Sequence, residues 1–79
     1  MTAPQLQNRL KAYRALFGWT QAEVATRVGL SRRSVNAIEN GEFVPSTIVA
    51  LQFAALYQVR VEDLFRLSDA DAAWTPTLV

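Results

Sequence analysis

The chain of 79 residues contains no cysteine and no histidine. Disulfides, thiol nucleophiles, the usual zinc ligands and the usual proton shuttle are therefore excluded together. An enzyme built from this sequence would have to work with carboxylates, hydroxyls and arginine, and we recognise no catalytic arrangement of those groups. We predict a protein that is not an enzyme and that binds no cofactor and no metal.

Long hydrophobic runs are also missing. The longest stretch without a charged residue, 43–59, is shorter than the roughly 20 residues that a membrane-spanning helix needs, and it contains Pro45 and several polar side chains. The first residues have neither the basic nor the apolar segment of a signal peptide. These features predict a cytoplasmic protein that does not span a membrane.

The composition is that of one small globular domain, with 51% hydrophobic and 19% charged residues. The charge is unevenly divided along the chain. Residues 1–41 carry six basic and two acidic residues, a net charge of +4, whereas residues 42–79 carry two basic and five acidic residues, a net charge of −3. A basic half favours a polyanionic partner, although uneven charge also arises by chance in so short a chain.

Helix 1 is predicted over residues 5–17, where apolar residues recur at spacings of four, three and four. Gly18 follows as the residue that tolerates the left-handed conformation ending a helix. The predicted apolar stripe consists of Leu6, Leu10, Tyr13 and Phe17.

Helices 2 and 3 each begin with a capping signal and follow one another closely. Thr20 and Glu23 have the spacing of a capping box, and helix 2 is expected to stop at Gly29. Ser31 caps helix 3, "SRRSVNAIEN", which ends at Gly41. Because only three residues separate the two helices, we predict a helix-turn-helix.

Helix 4 is predicted from Ser46 or Thr47 to about Tyr57, and helix 5 around residues 61–65. Helix 4 is apolar nearly all round, so it lies in the core or shares a second face with another molecule. For the second face we expect Ile48, Gln52 and Ala55, together with Trp74, Leu78 and Val79 of the C-terminal tail. The alternatives are a disordered tail and a helix 4 that belongs to an ordinary core through Val49, Leu51, Phe53, Leu56 and Tyr57.

Glu39 follows the apolar Val35 of helix 3 by four residues, so its carboxylate is expected near the inward face. A buried carboxylate needs a partner. Arg14, four residues after Leu10 on the inner edge of helix 1, is the expected one. The alternative is that Glu39 extends into solvent from the helix end.

Arg32 and Arg33 lie in the first turn of helix 3, where the helix dipole mildly disfavours cations. Residues at the start of the second helix of a helix-turn-helix meet base edges in the major groove, and the amides at both helix starts, capped by Thr20 and Ser31, can bind phosphates. We predict that Arg32, Arg33 and Asn36 read bases, and that arginine grips guanine. Taken alone, two exposed arginines would indicate only a solvated face.

Residues 8–67 resemble the Xre/Cro/CI family of phage and bacterial helix-turn-helix repressors in its small stand-alone form. The resemblance is carried by "LKAYRALFGWTQAEVATRVGLSRRSVNAIENGEFVPS" and by "VRVEDLF". It implies an all-α, five-helix lambda-repressor-like DNA-binding domain with the helix-turn-helix at helices 2 and 3. It also implies that Gln21 touches the DNA backbone, that Asn40 approaches a phosphate after helix 3, and that Arg14 pairs with Glu39.

The sequence departs from the family pattern in the segment that follows helix 3. Basic residues commonly follow the Asn-Gly in that family, whereas this chain has Glu42, Phe43 and Val44. Gln58 stands where glycine or asparagine usually ends helix 4, which predicts strain if it adopts a left-handed conformation.

We therefore expect an N-terminal extension at residues 1–4, a DNA-binding domain at 5–67 and a tail at 68–79 that binds a second copy or a partner. The predicted function is a bacterial or phage-encoded transcriptional regulator, a repressor, that binds a near-palindromic operator in double-stranded DNA as a homodimer, because one helix offers few base contacts. The alternative is an antitoxin-like module that binds a protein partner through helix 4 and the tail and regulates its own synthesis on DNA.

Overall fold

The computed structural model describes residues 5–68, which form five helices and a small two-stranded sheet. The strands and helices follow in the order β1 (Leu6–Asn8), α1 (Leu10–Phe17), α2 (Gln21–Val28), α3 (Arg32–Glu39), α4 (Thr47–Tyr57), α5 (Val61–Leu64) and β2 (Phe65–Leu67). None of these helices is long and apolar enough to cross a membrane.

Every helix contributes to a single core. In α1, α2 and α3 the buried side chains recur at helical spacing among exposed polar ones, whereas α4 is apolar nearly all round and buries one side. The core residues are Leu10, Val24, Ala25, Val28, Val35, Ile38, Phe53, Ala54, Tyr57 and Leu64.

Helix 1 begins later than the apolar spacing predicts. The prediction of a helix over residues 5–9 is wrong, because β1 pairs there with β2 in antiparallel register, with Leu6 opposite Leu67. The helix starts at Leu10, whose backbone N–H donates to the Asn8 side-chain oxygen at 3.0 Å. Leu6 therefore belongs to the sheet, although it fits the spacing of the α1 stripe.

The predicted helix-turn-helix is formed by α2 and α3. The Leu30 N–H donates to the Ala25 carbonyl at 2.9 Å, which closes the end of α2 while Gly29 adopts the left-handed conformation. Leu30 and Ser31 then lead directly into α3. This short, hydrogen-bonded turn holds the first turn of α3 at the surface.

Helix α4 is central to the core on one side and exposed on the other. Phe53 and Tyr57 are fully buried, whereas Ile48 is 72% exposed and Leu51 is 55% exposed. The ordinary-core alternative is wrong at Leu51, which faces outward two positions before Phe53.

Gln58 ends α4 in the left-handed conformation, with φ 58° and ψ 42°. It is the one non-glycine residue with positive φ among residues 5–68. A side chain with a Cβ is strained there, because the Cβ crowds the following carbonyl oxygen. The strain falls on a helix end that is otherwise well bonded, since the Val59 N–H donates to the Ala54 carbonyl at 3.0 Å.

We expect Gln58→Gly to raise the free energy of unfolding by about 0.5–1 kcal/mol, because glycine adopts this conformation without the steric cost. Urea denaturation followed by circular dichroism measures the change. The control is Gln52→Gly within α4, which is expected to lower stability by about 1 kcal/mol. A loss of stability in both variants would contradict the assignment of strain to Gln58.

Candidate nucleic-acid interface

The two helix starts of the helix-turn-helix are capped by side chains. The Thr20 hydroxyl accepts from the Glu23 N–H at 3.1 Å, and the Thr20 N–H donates to the Glu23 carboxylate at 3.0 Å. Hydrogen bonding of the carboxylate to the Thr20 backbone N–H, and secondarily to the Thr20 side chain, lowers the pKa of Glu23. At α3, the Ser31 hydroxyl accepts from the Ser34 N–H at 3.1 Å. The other first-turn N–H groups have no acceptor within their own helix, as at any helix start.

Arg14 and Glu39 form a paired contact that joins α1 to the end of α3. The Arg14 Nε donates to Glu39 Oε2 at 2.7 Å and Nη2 donates to Oε1 at 3.2 Å, while Nη1 donates to the Trp19 carbonyl at 3.1 Å. The carboxylate is 1% exposed and the guanidinium side chain 17% exposed. Hydrogen bonding to Glu39 raises the pKa of Arg14, and burial opposes this effect. The pair therefore locks the angle of α3 to the body of the domain.

Gln21 extends this pair to the surface. Its Nε2 donates to Glu39 Oε1 at 3.1 Å and to Asn36 Oδ1 at 3.0 Å. Both side-chain amide hydrogens of Gln21 are thus used within the protein, and the Asn36 NH₂ group is turned away from Gln21. The sequence contains no signal for this bridge, because Asn36 and Glu39 lie 15 and 18 residues after Gln21 along the chain.

Arg32, Arg33 and Asn36 all lie on the exposed side of α3. Arg32 borders a concave surface of about 590 Å³ that also includes Thr20 and Gln21 at the start of α2. Arg33 and Asn36 border a second concave surface, of about 450 Å³, on the other flank of α3. The three predicted base-reading residues therefore form one ridge between two hollows.

The remaining predicted positions lie at the ends of the helix-turn-helix helices or on α4. Thr20 and Ser31 are exposed at the helix starts, and Asn40 is exposed at the end of α3. The candidate dimer residues of α4 are all exposed: Ile48, Gln52 and Ala55. The tail residues Trp74, Leu78 and Val79 lie outside the described residues.

Two side chains that the sequence reasoning did not single out hold the helix-turn-helix in place. The Arg27 guanidinium lies over the Trp19 ring, 4.3 Å from its centre, and so ties the last turn of α2 to the residue before its N-cap. The Asn8 side-chain NH₂ donates to the Ile38 carbonyl at 3.0 Å and so ties β1 to the last turn of α3. Within residues 5–68, no group of acidic side chains is arranged to hold a metal ion.

Tyr57 lies beneath the Arg14–Glu39 pair. Its ring packs in an aromatic cluster, 5.3 Å from the centre of Phe17 and 6.0 Å from that of Trp19. The residue is 2% exposed, and its hydroxyl has no hydrogen-bond partner among the described residues. Burial, reinforced by the negative charge of Glu39 and opposed by Arg14, raises the pKa of Tyr57 to about 12.

We expect Tyr57→Phe to raise the free energy of unfolding by about 1 kcal/mol near neutral pH, because it removes a buried polar group that bonds to nothing. The raised pKa means that the folded state keeps the phenol proton at alkaline pH where the unfolded chain loses it. Wild-type stability therefore falls as pH rises from the ordinary value of about 10 to about 12. The difference in free energy of unfolding between Tyr57→Phe and the wild type should therefore increase over that pH range.

Denaturant unfolding at pH 7 and at pH 11 tests both statements. The control is Tyr13→Phe at neutral pH, because Tyr13 is a half-buried tyrosine of the same cluster, and we expect a change of no more than about 0.5 kcal/mol. A Tyr57→Phe variant that is less stable than wild type would show that the hydroxyl is hydrogen-bonded in solution.

The sequence is similar to a protein family and to several known proteins. Residues 10–64 match the protein family described as helix-turn-helix (HTH_3). The chain is 38% identical over 64 residues to the uncharacterized HTH-type transcriptional regulator YgzD of Bacillus subtilis, covering 81% of this chain and 97% of the relative. It is 41% identical over 64 residues to the uncharacterized HTH-type transcriptional regulator MJ0272 of Methanocaldococcus jannaschii, with the same coverage. It is also 39% identical over 69 residues to an HTH-type transcriptional regulator of Methanothermobacter thermautotrophicus, covering 86% of this chain and 99% of the relative.

Proposed function

Because the chain belongs to the helix-turn-helix family of DNA-binding transcriptional regulators, which are not enzymes, we propose that it is a sequence-specific repressor that reads the major groove of double-stranded DNA as a homodimer. The observation that carries the proposal is the exposure of Arg32 and Arg33 in the first turn of α3. The helix dipole disfavours cations there, so these arginines do not stabilise the fold. They are available for a ligand that carries acceptors and negative charge.

Base reading is assigned to the ridge of α3. Arginine donates to O6 and N7 of guanine in a two-pronged contact, and asparagine pairs with adenine through its amide. Gln21 occupies one lone pair of Asn36 Oδ1, so the Asn36 NH₂ group and the second lone pair stay available for a base. Gln21 thereby orients Asn36.

Phosphate binding is assigned to the two helix starts. The first-turn amides of α2 and α3 suit phosphate oxygens, and Thr20 and Ser31 mark these starts. Since both side-chain hydrogens of Gln21 are used within the protein, we assign its phosphate contact to its backbone N–H. Asn40 at the end of α3 is the third assigned backbone contact.

The homodimer is assigned to the exposed face of α4. Ile48, Gln52 and Ala55 follow one another at spacings of four and three, so they share one side of the helix, and the neighbouring Leu51 adds further exposed apolar surface. A second copy that covers this face would bury apolar area and align two recognition helices on a near-palindromic operator. A dimer bound across a promoter in the cytoplasm of a bacterial or phage-infected cell represses by occupying the DNA.

Selection from random double-stranded DNA tests sequence reading. We expect the wild-type chain to enrich a two-fold related site, with half-sites about 34 Å or one helical turn apart, and to bind it less tightly as salt rises. The control is Arg32→Ala/Arg33→Ala, which should enrich no site while it remains folded by circular dichroism. Failure of the wild type to enrich any sequence would refute the proposed function.

Sedimentation equilibrium tests the dimer face. Ile48→Glu should convert a dimer into a monomer, because it places a charge in the apolar contact. Leu16→Glu is the matched control, since Leu16 is 76% exposed on α1 and does not belong to the proposed α4 face, so its change should leave the mass unchanged. A wild-type monomer that binds a different protein through α4 would support the antitoxin-like alternative instead.

A further inference from the structure

Phe43 is an exposed aromatic residue that the core does not use. Its side chain is 57% exposed in the turn that follows α3. That turn is fixed to the helix, because the Gly41 N–H donates to the Ile38 carbonyl at 3.1 Å and the Glu42 N–H donates to the Ala37 carbonyl at 2.9 Å. These two bonds form a Schellman motif, so Phe43 is held at a defined place beside the last turn of α3.

The place that Phe43 occupies is the edge of the reading face. It borders the concave surface of about 450 Å³ whose other walls are Arg33, Ser34, Asn36, Ala37 and Glu42. A ligand that contacts Arg33 and Asn36 therefore lies within reach of the Phe43 ring. On its other side the ring borders a separate hollow over Ile38 and Phe65, so it stands as a wall between the ridge of α3 and the body of the domain.

The chemistry of this wall disfavours the DNA backbone as its neighbour. Phe43 offers no hydrogen-bond donor, and the adjacent carboxylate of Glu42 repels phosphate. In the major groove, the apolar group that a base pair presents is the C5 methyl group of thymine. An aromatic ring beside Arg33 and Asn36 is suited to that methyl group and gains by removing it from water.

We propose that Phe43 contacts the C5 methyl group of a thymine and gives the protein a preference for thymine at one position of each half-site. This assignment rests on the proposed function, since it requires α3 to lie in the major groove. Phe43 thus adds an apolar base contact to the polar base contacts of α3.

Deoxyuridine provides the direct test, because it differs from thymidine by this methyl group alone. After selection of a site with the wild-type chain, each thymine is replaced in turn by deoxyuridine in both half-sites, and binding is measured by fluorescence anisotropy. At one position we expect the wild type to lose about fourfold in affinity per half-site, the value of one buried methyl-sized group. For Phe43→Ala, thymidine and deoxyuridine should bind alike at that position.

Val44→Ala is the matched control, because Val44 is the next residue, is 67% exposed and lies outside this concave surface. It should retain the wild-type discrimination between thymidine and deoxyuridine. Thermal unfolding of Phe43→Ala should match that of the wild type, since so exposed a side chain contributes little to the core.

Each other result overturns the inference in a recognisable way. A selected site in which no thymine depends on its methyl group leaves DNA reading intact and removes the role of Phe43. Discrimination that persists in Phe43→Ala assigns the methyl contact to another residue. A change in oligomeric mass, with equal loss of affinity for every DNA, makes Phe43 part of a protein interface, and the absence of any selected site refutes the inference together with the proposed function.

Discussion

Replacement of Glu39 by alanine is expected to lower the free energy of unfolding by about 3–5 kcal/mol, because it leaves the guanidinium of Arg14 without its anion in a largely buried place. The carboxylate accepts three hydrogen bonds, two from Arg14 and one from Gln21. All three are lost at once. Small domains have only about 5–15 kcal/mol of stability in total, so the variant should be partly unfolded at physiological temperature. Urea denaturation followed by circular dichroism measures the loss.

Two controls distinguish the effect of breaking the Arg14–Glu39 ion pair from the effect of removing any carboxylate. Glu62→Ala removes an exposed carboxylate in the first turn of α5 and should cost no more than about 1 kcal/mol. The double variant Arg14→Met/Glu39→Met removes both charges and should recover much of the stability, because no unpaired ion remains. A Glu39→Ala variant as stable as Glu62→Ala would show that the contact contributes nothing in solution.

Replacement of Arg33 by alanine is expected to weaken binding to the selected operator by about 30-fold or more. One two-pronged arginine–guanine contact contributes about 1–3 kcal/mol of discrimination, and the proposed homodimer makes that contact twice. The fold should be unaffected, because Arg33 is exposed and the helix dipole disfavours a cation at its position. Fluorescence anisotropy on the operator and on random DNA of equal length measures both affinities.

The ratio of those two affinities decides how Arg33 acts. A base-reading arginine loses operator affinity much more than random-DNA affinity, whereas a phosphate-binding arginine loses both alike. Lys11→Ala is the matched control, since it removes one exposed cation from α1 and should leave the ratio unchanged. Equal losses for Arg33→Ala on both DNAs would reassign the residue to the backbone.

Features that depend on local chemistry could be predicted from the sequence. The capping box of Thr20 and Glu23 and the serine cap at Ser31 need only neighbouring residues, so their patterns place α2 and α3 correctly. The five-helix class and the helix-turn-helix follow from those patterns and from the family resemblance. The inward position of Glu39 follows from helical spacing alone.

Features that depend on distant residues could not be predicted. The pairing of Leu6 with Leu67 requires a partner strand at the other end of the domain, and a three-residue strand carries too few residues to show its period. The same holds for the bridge from Gln21 to Asn36, which exists only once α2 and α3 have packed. The outward position of Leu51 was missed because α4 is apolar on both faces, so its composition does not distinguish them.

The strand pair also brings the two ends of the described domain together. The Ser68 N–H donates to the Gln5 carbonyl at 2.7 Å, and the Gln5 N–H donates to the Ser68 hydroxyl at 3.0 Å. A domain whose ends are adjacent can be inserted into a surface loop of another protein without stretching the host chain. The fold can therefore serve as a DNA-binding domain inserted into a host protein. In a host whose loop ends separate on ligand binding, that movement would act directly on β1 and β2 and, through the Asn8 hydrogen bond, on α3.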